Sequence, residues 1–265
     1  MPGLDDIPEE FWLKLPGLSR GIIAFPRSGS RWMKLLINDL YASTVTASID
    51  QLYAESENKE VAGTKVFAEE PRCTYDVYHL LATGVDETVL KCGDSLVVRV
   101  HSPKFSATFP EARILVTVRH PVPVVRSYID YAIKENFLKG QEGEVAAFTS
   151  GKFYELRAFF DQIARMSNEG GERIKMIPYR EGVPFHAKDL CAAIDHLRLP
   201  FGSGEAHNAV ARLRQFLQKL NERDLFSYRR GGESFSPDDP LPEWASSPEA
   251  GAAIASFEKI AERLV

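Results

Sequence analysis

Short, mainly apolar runs alternate with longer stretches in which apolar residues recur every three or four positions. This alternation organises most of the 265-residue chain. Residues 21–25, Gly-Ile-Ile-Ala-Phe, form the first run, which Pro26 ends. Runs at 96–100, 113–118 and 173–177 follow, and all four read as short strands buried on both sides. After the first, Trp32, Met33, Leu36, Ile37 and Leu40 fall at helical spacing and predict a helix over 31–41. A second helix is predicted from 121–123, where proline suits a first turn, through 131. Further helices are predicted over 152–166, 187–197, 208–220 and 250–264. No internal repeat or low-complexity tract interrupts the series. Residues 58–93 carry the weakest pattern, and 231–248, rich in Gly, Ser, Pro and Asp, read as a long surface loop or lid. Strands alternating with helices imply βαβ units, hence an α/β fold with a mainly parallel sheet flanked by helices on both faces. Residues 1–265 are expected to form a single domain.

Composition narrows the classes. Lys and Arg number 32 against 37 Asp and Glu, a net charge of −5, which disfavours binding of polyanions by bulk charge. No nucleic-acid partner is expected, while a local basic pocket stays open. Cys73, Cys92 and Cys191 lie far apart without CxxC spacing, which speaks against a disulfide framework or a zinc site and fits a reducing compartment. Residues 1–12 carry Asp5, Asp6, Glu9 and Glu10 rather than the basic and apolar parts of a signal peptide. No apolar run approaches the ~18 residues of a membrane span. A cytoplasmic protein is expected.

Candidate chemistry gathers at the ends of the apolar runs. Pro26-Arg-Ser-Gly-Ser-Arg-Trp32 lies between a strand and a helix, with Gly29 at the bend. Such a P-loop-like strand–loop–helix aims backbone N–H groups and a helix dipole at one point, a site for phosphate or sulfate. Ser28 and Ser30 add hydroxyls, and Arg27 and Arg31 add charge. GxxxxGK[ST] is absent, so this is not a Walker A loop; a plain turn with a helix cap is the bland alternative. Arg119 closes the run at 113–118, and Arg126 and Ser127 follow on the next helix. Ligands of parallel sheets gather at the carboxyl ends of strands, which puts Arg119 on the rim that holds the first loop; a strand-end arginine paired with a carboxylate is the alternative. His101, in Arg99-Val-His101-Ser-Pro103, ends a further run on that rim, where an imidazole could take a proton from a hydroxyl. His79, His120, His186, His196 and His207 read as structural. No metal-ligand cluster is present in the sequence, and no metal is expected.

These segments, in this order, resemble the sulfotransferases that use 3′-phosphoadenosine 5′-phosphosulfate (PAPS). Pro26 to Trp32 resembles the family's 5′-phosphosulfate loop, P-K-S-G-T-T-W, and Arg119 through Ser127 its 3′-phosphate segment. Arg99-Val-His101-Ser-Pro103 is similar to K-T-H-x-P, whose His is the catalytic base. Ile177-Pro-Tyr179-Arg180 resembles the strand ending in Y-E-D, whose Tyr contacts the adenine side, and Tyr228-Arg229-Arg230-Gly231 resembles R-K-G, which closes over the 3′-phosphate. The resemblance runs from about Arg20 to Gly231. Arg27 stands in place of the cytosolic branch's Lys, Arg31 in place of a small hydroxyl residue, and Arg180 in place of Glu. The G-D-W continuation after Gly231 and the family's dimer motif are missing.

The resemblance implies in-line transfer of a sulfuryl group from PAPS to a hydroxyl or amine acceptor, releasing 3′-phosphoadenosine 5′-phosphate. His101 is then the general base and Arg27 stabilises the bridging oxygen. Ser28, Gly29, Ser30 and Arg31 hold the 5′ phosphosulfate, and Trp32 stacks on adenine with Tyr179 nearby. Arg119, Ser127, Arg229, Arg230 and Gly231 surround the 3′-phosphate. The acceptor class, whether small molecule, glycan or peptide, stays open; Phe67, Phe105, Tyr128 and Tyr131 are candidates to line its pocket or to be core. Two other readings compete: a P-loop nucleotide or small-molecule kinase, and a non-catalytic nucleotide-binding module on the same fold.

Overall fold

The computed structural model describes residues 9–15, 18–41, 74–85, 87–134, 136–139, 142–180, 185–222 and 241–264. The four apolar runs are strands, and a fifth joins them. β1 (Arg20–Ala24), β2 (Thr74–Asp76), β3 (Val97–Val100), β4 (Arg113–Val118) and β5 (Ile174–Pro178) form one sheet in the order β2-β3-β1-β4-β5. Every neighbouring pair is parallel. The long helices are α1 (Ser30–Tyr41), α2 (Pro121–Lys134), α3 (Glu142–Gly170), α4 (Ala187–Leu197), α5 (Ser203–Glu222) and α6 (Pro248–Ala261).

Alternation along the strands splits the core into two layers. Ile22, Leu115 and Ile177 pack with Met33, Leu36, Ile37 and Leu40 of α1 and with Leu190 and Ile194 of α4. Their sequence neighbours Ile23, Val116 and Met176 turn to the opposite face, against Val122 and Val125 of α2, Phe153 and Phe160 of α3, and Ala253 of α6. Helices therefore cover both faces, as the pattern predicts, and the apolar stripe on each helix is what the sheet selects. Ser247 starts α6 as its N-cap, accepting a bond from the Ala250 amide at 3.2 Å, with Pro248 in the first turn.

Connectivity then fixes where a ligand can sit. From the carboxyl end of β1 the chain turns into α1 on one face and continues toward β2. From the carboxyl end of adjacent β4 it turns into α2 on the other face and continues to β5. Two neighbouring strands whose outgoing connections part to opposite faces leave a crevice between them, the switch point of a doubly wound sheet. Residues 26–31 and 119–120 are the two lips of that crevice.

Several sequence expectations are corrected. β2 was not foreseen: three residues, Thr-Tyr-Asp, are too few to show a period. The helix expected over 152–166 spans Glu142–Gly170, because Gly143 and Gly151 mask its amino-terminal third. Thr149, buried there, returns its hydroxyl to the Ala146 carbonyl at 2.9 Å. Residues 231–240 of the expected loop or lid lie outside the described residues. Its last part is anchored instead, with a turn at Glu243–Ala245 that stacks Trp244 on Phe153, ring centroids 6.1 Å apart. Phe105, a candidate for the acceptor pocket, is core: it is buried beneath Trp12 and Phe109 and abuts Gly21. Among the described residues no helix is long and apolar enough to cross a membrane.

Phe160 joins α3 to α6 through an edge contact with Phe257 at 5.6 Å and is fully buried. Phe160→Ala is expected to lower unfolding free energy by ~3–5 kcal/mol, read from the shift in urea midpoint; a loss under about 1 kcal/mol would show that α6 does not share the sheet's core.

Candidate active site

At the end of β1 the backbone makes a tight reversal. The Ser28 amide donates to the Phe25 carbonyl at 3.1 Å, and the Trp32 and Met33 amides donate to the Gly29 carbonyl at 2.9 and 3.2 Å as α1 begins. Two residues adopt left-handed backbone, Arg27 at φ +71° and Gly29 at φ +85°. Gly29 has a steric reason besides its dihedral, since a Cβ there would overlap the ring of Tyr179. Arg27 is not glycine, and its conformation costs about 1–2 kcal/mol. Two contacts hold it: Arg119 Nη1 donates to the Arg27 carbonyl at 2.9 Å, and the Arg27 guanidinium lies 4.2 Å from the centroid of the Tyr131 ring. The two lips of the crevice are thus bonded to each other.

Ser28, only 1% exposed, has a hydroxyl with no hydrogen-bond partner among the described residues. A buried hydroxyl with nothing to bond is costly unless a ligand supplies the partner. Ser30, also buried, accepts a hydrogen bond from Arg99 Nη1 at 3.1 Å. Arg99 comes up from β3, and its other terminal nitrogen meets the carboxylate of Asp76, its register partner on β2. Burial first, and the charge of Arg31 second, bring the Arg99 pKa down to about 10, so the guanidinium is still charged at neutral pH.

His101 follows two residues later. Its Nδ1 lies 2.8 Å from the carbonyl oxygen of Ala24, the last residue of β1. A carbonyl only accepts, so the proton sits on Nδ1 and Nε2 is the basic nitrogen. Burial, and then the charge of Arg99, push the pKa down to about 4, with the Ala24 carbonyl opposing them. The imidazole is neutral at physiological pH.

On the other lip the Tyr179 amide donates to the Val118 carbonyl at 2.7 Å. Its ring packs against Gly29, beneath the Arg119 guanidinium, 4.7 Å from the ring centroid, and edge-on to Phe185 at 5.9 Å. The structure therefore brings together the loop 27–31, Arg119 and Tyr179. His101 is bonded to the strand that leads into the loop. Trp32 is half-buried against the α1 side of the core, Arg31 is exposed at the start of α1, and Arg126 and Ser127 are half-buried within α2. Arg180 pairs with Asp189, which also accepts from the His186 amide at 2.7 Å as part of the α4 cap, so its charge serves helix capping. Tyr228, Arg229, Arg230, Gly231 and Phe67 lie outside the described residues. Sequence reading passed over the role of Arg99 and missed Asp76. The available signal was a lone charge inside the apolar run Leu96-Val-Val-Arg-Val100.

The other histidines of known environment are accounted for by structure. The Val122 amide donates to His120 Nδ1 at 3.3 Å, and the ring stands edge-on to Phe257 at 5.2 Å. His196 donates from Nε2 to the Ile114 carbonyl at 3.0 Å, and His207 from Nδ1 to the Ser203 carbonyl at 2.7 Å. His186 occupies the N-cap of α4. Among the described residues no group of His, Cys, Asp and Glu is arranged to hold a metal.

No family model matches this chain, and no curated protein does. Among solved structures, it is similar to the sulfotransferase STF9 from Mycobacterium avium at 13% identity and a TM-score of 0.49, over 96% of this chain and 79% of that one. It is similar also to retinol dehydratase in complex with retinol and PAP, at 12% identity and a TM-score of 0.46, over 96% of this chain and 83% of that one.

Acid sensitivity follows from the histidines. His101 and His120 are both held near pKa 4 by burial, and His196 is lowered by the same cause. The unfolded chain binds protons on these rings at about pH 6.5 and the folded chain does not, so stability is complete above 6.5 and falls as pH drops toward 4. The buried His101 alone accounts for about 3 kcal/mol over that window. Urea midpoints are expected to fall from pH 7.5 through 6 to 5, with a shallower slope in His101→Ala; a flat profile would contradict the burial of these rings.

Proposed function

We propose that the chain is a PAPS-dependent sulfotransferase, acting as one domain, that transfers a sulfuryl group to a hydroxyl acceptor. The observation that carries this reading is the bond between Arg119 and the Arg27 carbonyl, 2.9 Å long, which joins a helix-terminal anion loop to a strand-end arginine across the switch point. The residues fit a donor with two anionic ends. Ser28 offers an unpaired buried hydroxyl and α1 a positive helix terminus for the 5′ end, while Arg119, one crevice-width away, is a cation for the 3′-phosphate. Ser127 joins Arg119 there; Arg229, Arg230 and Gly231, which the family resemblance assigns to the same phosphate, lie outside the described residues. Trp32 and Tyr179 supply the aromatic surfaces for adenine.

When bound, PAPS supplies an electrophilic sulfur joined to a phosphate leaving group. His101 accepts the acceptor's hydroxyl proton on Nε2 as the new S–O bond forms and the bond from sulfur to the phosphate oxygen breaks. Its Nδ1–H stays bonded to Ala24, which fixes the ring and the tautomer. Arg27 and the start of α1 balance the charge that collects on the departing phosphate. The acceptor is a small hydroxyl-bearing molecule; of its candidate wall residues, Tyr128 packs on the core against Phe25, and Tyr131 lies under Arg27 beside the loop.

Two measurements test this. A thermal-shift titration is expected to raise Tm with 3′-phosphoadenosine 5′-phosphate and not with Mg²⁺–ATP, since only a ligand of the native state stabilises it; the reverse result assigns the loop to a kinase. With any acceptor that turns over, His101→Ala is expected to lower kcat by ~10²–10⁴ while donor affinity changes little. A loss within about tenfold removes His101 as the base, and donor binding without transfer to any acceptor leaves a silent nucleotide-binding module.

A further inference from the structure

Arg99 has no role in the reading above, yet it is the most heavily built-in charge of the site. Burying a guanidinium costs several kcal/mol unless its hydrogen bonds are met; here both terminal nitrogens have partners, while the buried Nε has none among the described residues. One terminal nitrogen is anchored on Asp76, its neighbour across β2 and β3; the other reaches Ser30, the first residue of α1. Arg99 lies on the strand face that α1 covers, since Val97, two residues before it, packs with Met33 and Leu36 in that layer.

The direction of the Ser30 bond matters. A serine hydroxyl has one hydrogen and two lone pairs, and arginine can only donate. With a lone pair of Ser30 Oγ engaged by Arg99, the hydroxyl hydrogen is turned away from the guanidinium and is polarised by it. We propose that Arg99 is a positioning residue: clamped by Asp76, it fixes the Ser30 hydroxyl as a hydrogen-bond donor to the anionic group bound at the head of α1. This rests on the donor reading given above and adds residues to it, Asp76 and Arg99, that do not touch the anion themselves. A preset donor costs no rotor entropy at binding, and a hydrogen bond to a charged group is the kind whose loss is felt.

The test is a binding cycle with 3′-phosphoadenosine 5′-phosphate as the probe, measured by calorimetry on the full chain. Arg99→Met is made together with Asp76→Asn so that no carboxylate is stranded, then Ser30→Ala, then all three substitutions. Each of the first two proteins is expected to bind about tenfold more weakly, and the triple variant no more than about threefold more weakly than either, because both remove the same oriented donor. Losses that multiply to about a hundredfold, or an affinity unchanged in the Asp76→Asn, Arg99→Met protein, overturn the proposal. Arg99→Lys separates positioning from bulk charge and from folding. An ammonium paired with Asp76 keeps the charge and the Tm but not the fork, so affinity is expected to stay low while Tm recovers. Recovery of both assigns Arg99 a structural role and overturns the proposal. Failure of the wild-type chain to bind the probe at all overturns the donor reading and this inference with it, an outcome distinct from any pattern among the variants.

Discussion

The site depends on the bridge that Arg119 makes between two strand ends. Adjacent strands β1 and β4, paired in register as far as Ala24 and Thr117, send their connections to opposite faces of the sheet, and that divergence opens a crevice beyond the last ladder pair. Arg119 spans it by bonding the Arg27 carbonyl, and the Tyr179 ring fills the space against Gly29 from the same side. The left-handed backbone at Arg27 is kept in place by the bond from Arg119 rather than by local preference, whereas Gly29 adopts it without steric cost. A loop strained in this way is preorganised: its amides point where the tertiary structure directs them before any ligand arrives.

Much of this was legible because it follows from local pattern. The runs at 21–25, 96–100 and 113–118 are apolar on both sides and too short for helices, and strand and loop together imply a rim on which Arg27, His101 and Arg119 all stand. What escaped was whatever depends on partners distant in sequence. Asp76 sits in a three-residue strand with no period to detect, and its meaning comes only from its register with Arg99. Arg180 looked like a departure at a nucleotide-binding position, whereas it closes an ion pair with Asp189, nine residues ahead, in the cap of a helix. Phe105 read as a possible pocket wall because it follows His101 closely, yet the chain turns back there and carries it to the far end of β1, over Gly21.

The charge distribution has a logic that composition hides. The chain is acidic overall, but Arg27, Arg31, Arg99 and Arg119 all belong to the two lips or to the strand directly beneath them. Like charges so close repel, and the lowered pKa of Arg99, to about 10, records part of that repulsion through Arg31 together with its burial. Folding tolerates the arrangement through the half-buried carboxylate of Asp76 and two aromatic faces, Tyr131 under Arg27 and Tyr179 under Arg119. Ring faces attract cations without neutralising them, so the field at the crevice survives for an anion.

For His101, the base of the proposed reaction, that field has a specific consequence. A pKa near 4 describes an imidazole that is unprotonated at rest, as a general base must be, but it also describes a weak one. Both causes of the depression, burial and the Arg99 charge, penalise the imidazolium. A polyanion seated at the start of α1 reverses the electrostatic part, because negative charge close to a buried ring favours its protonated form. On the proposed reading, burial first and the cationic cluster second hold the ring deprotonated in the free protein, and a bound anion's charge raises its proton affinity. In the proposed reaction that rise would coincide with uptake of a hydroxyl proton, with Nδ1 tied to Ala24 and Nε2 the nitrogen that changes state.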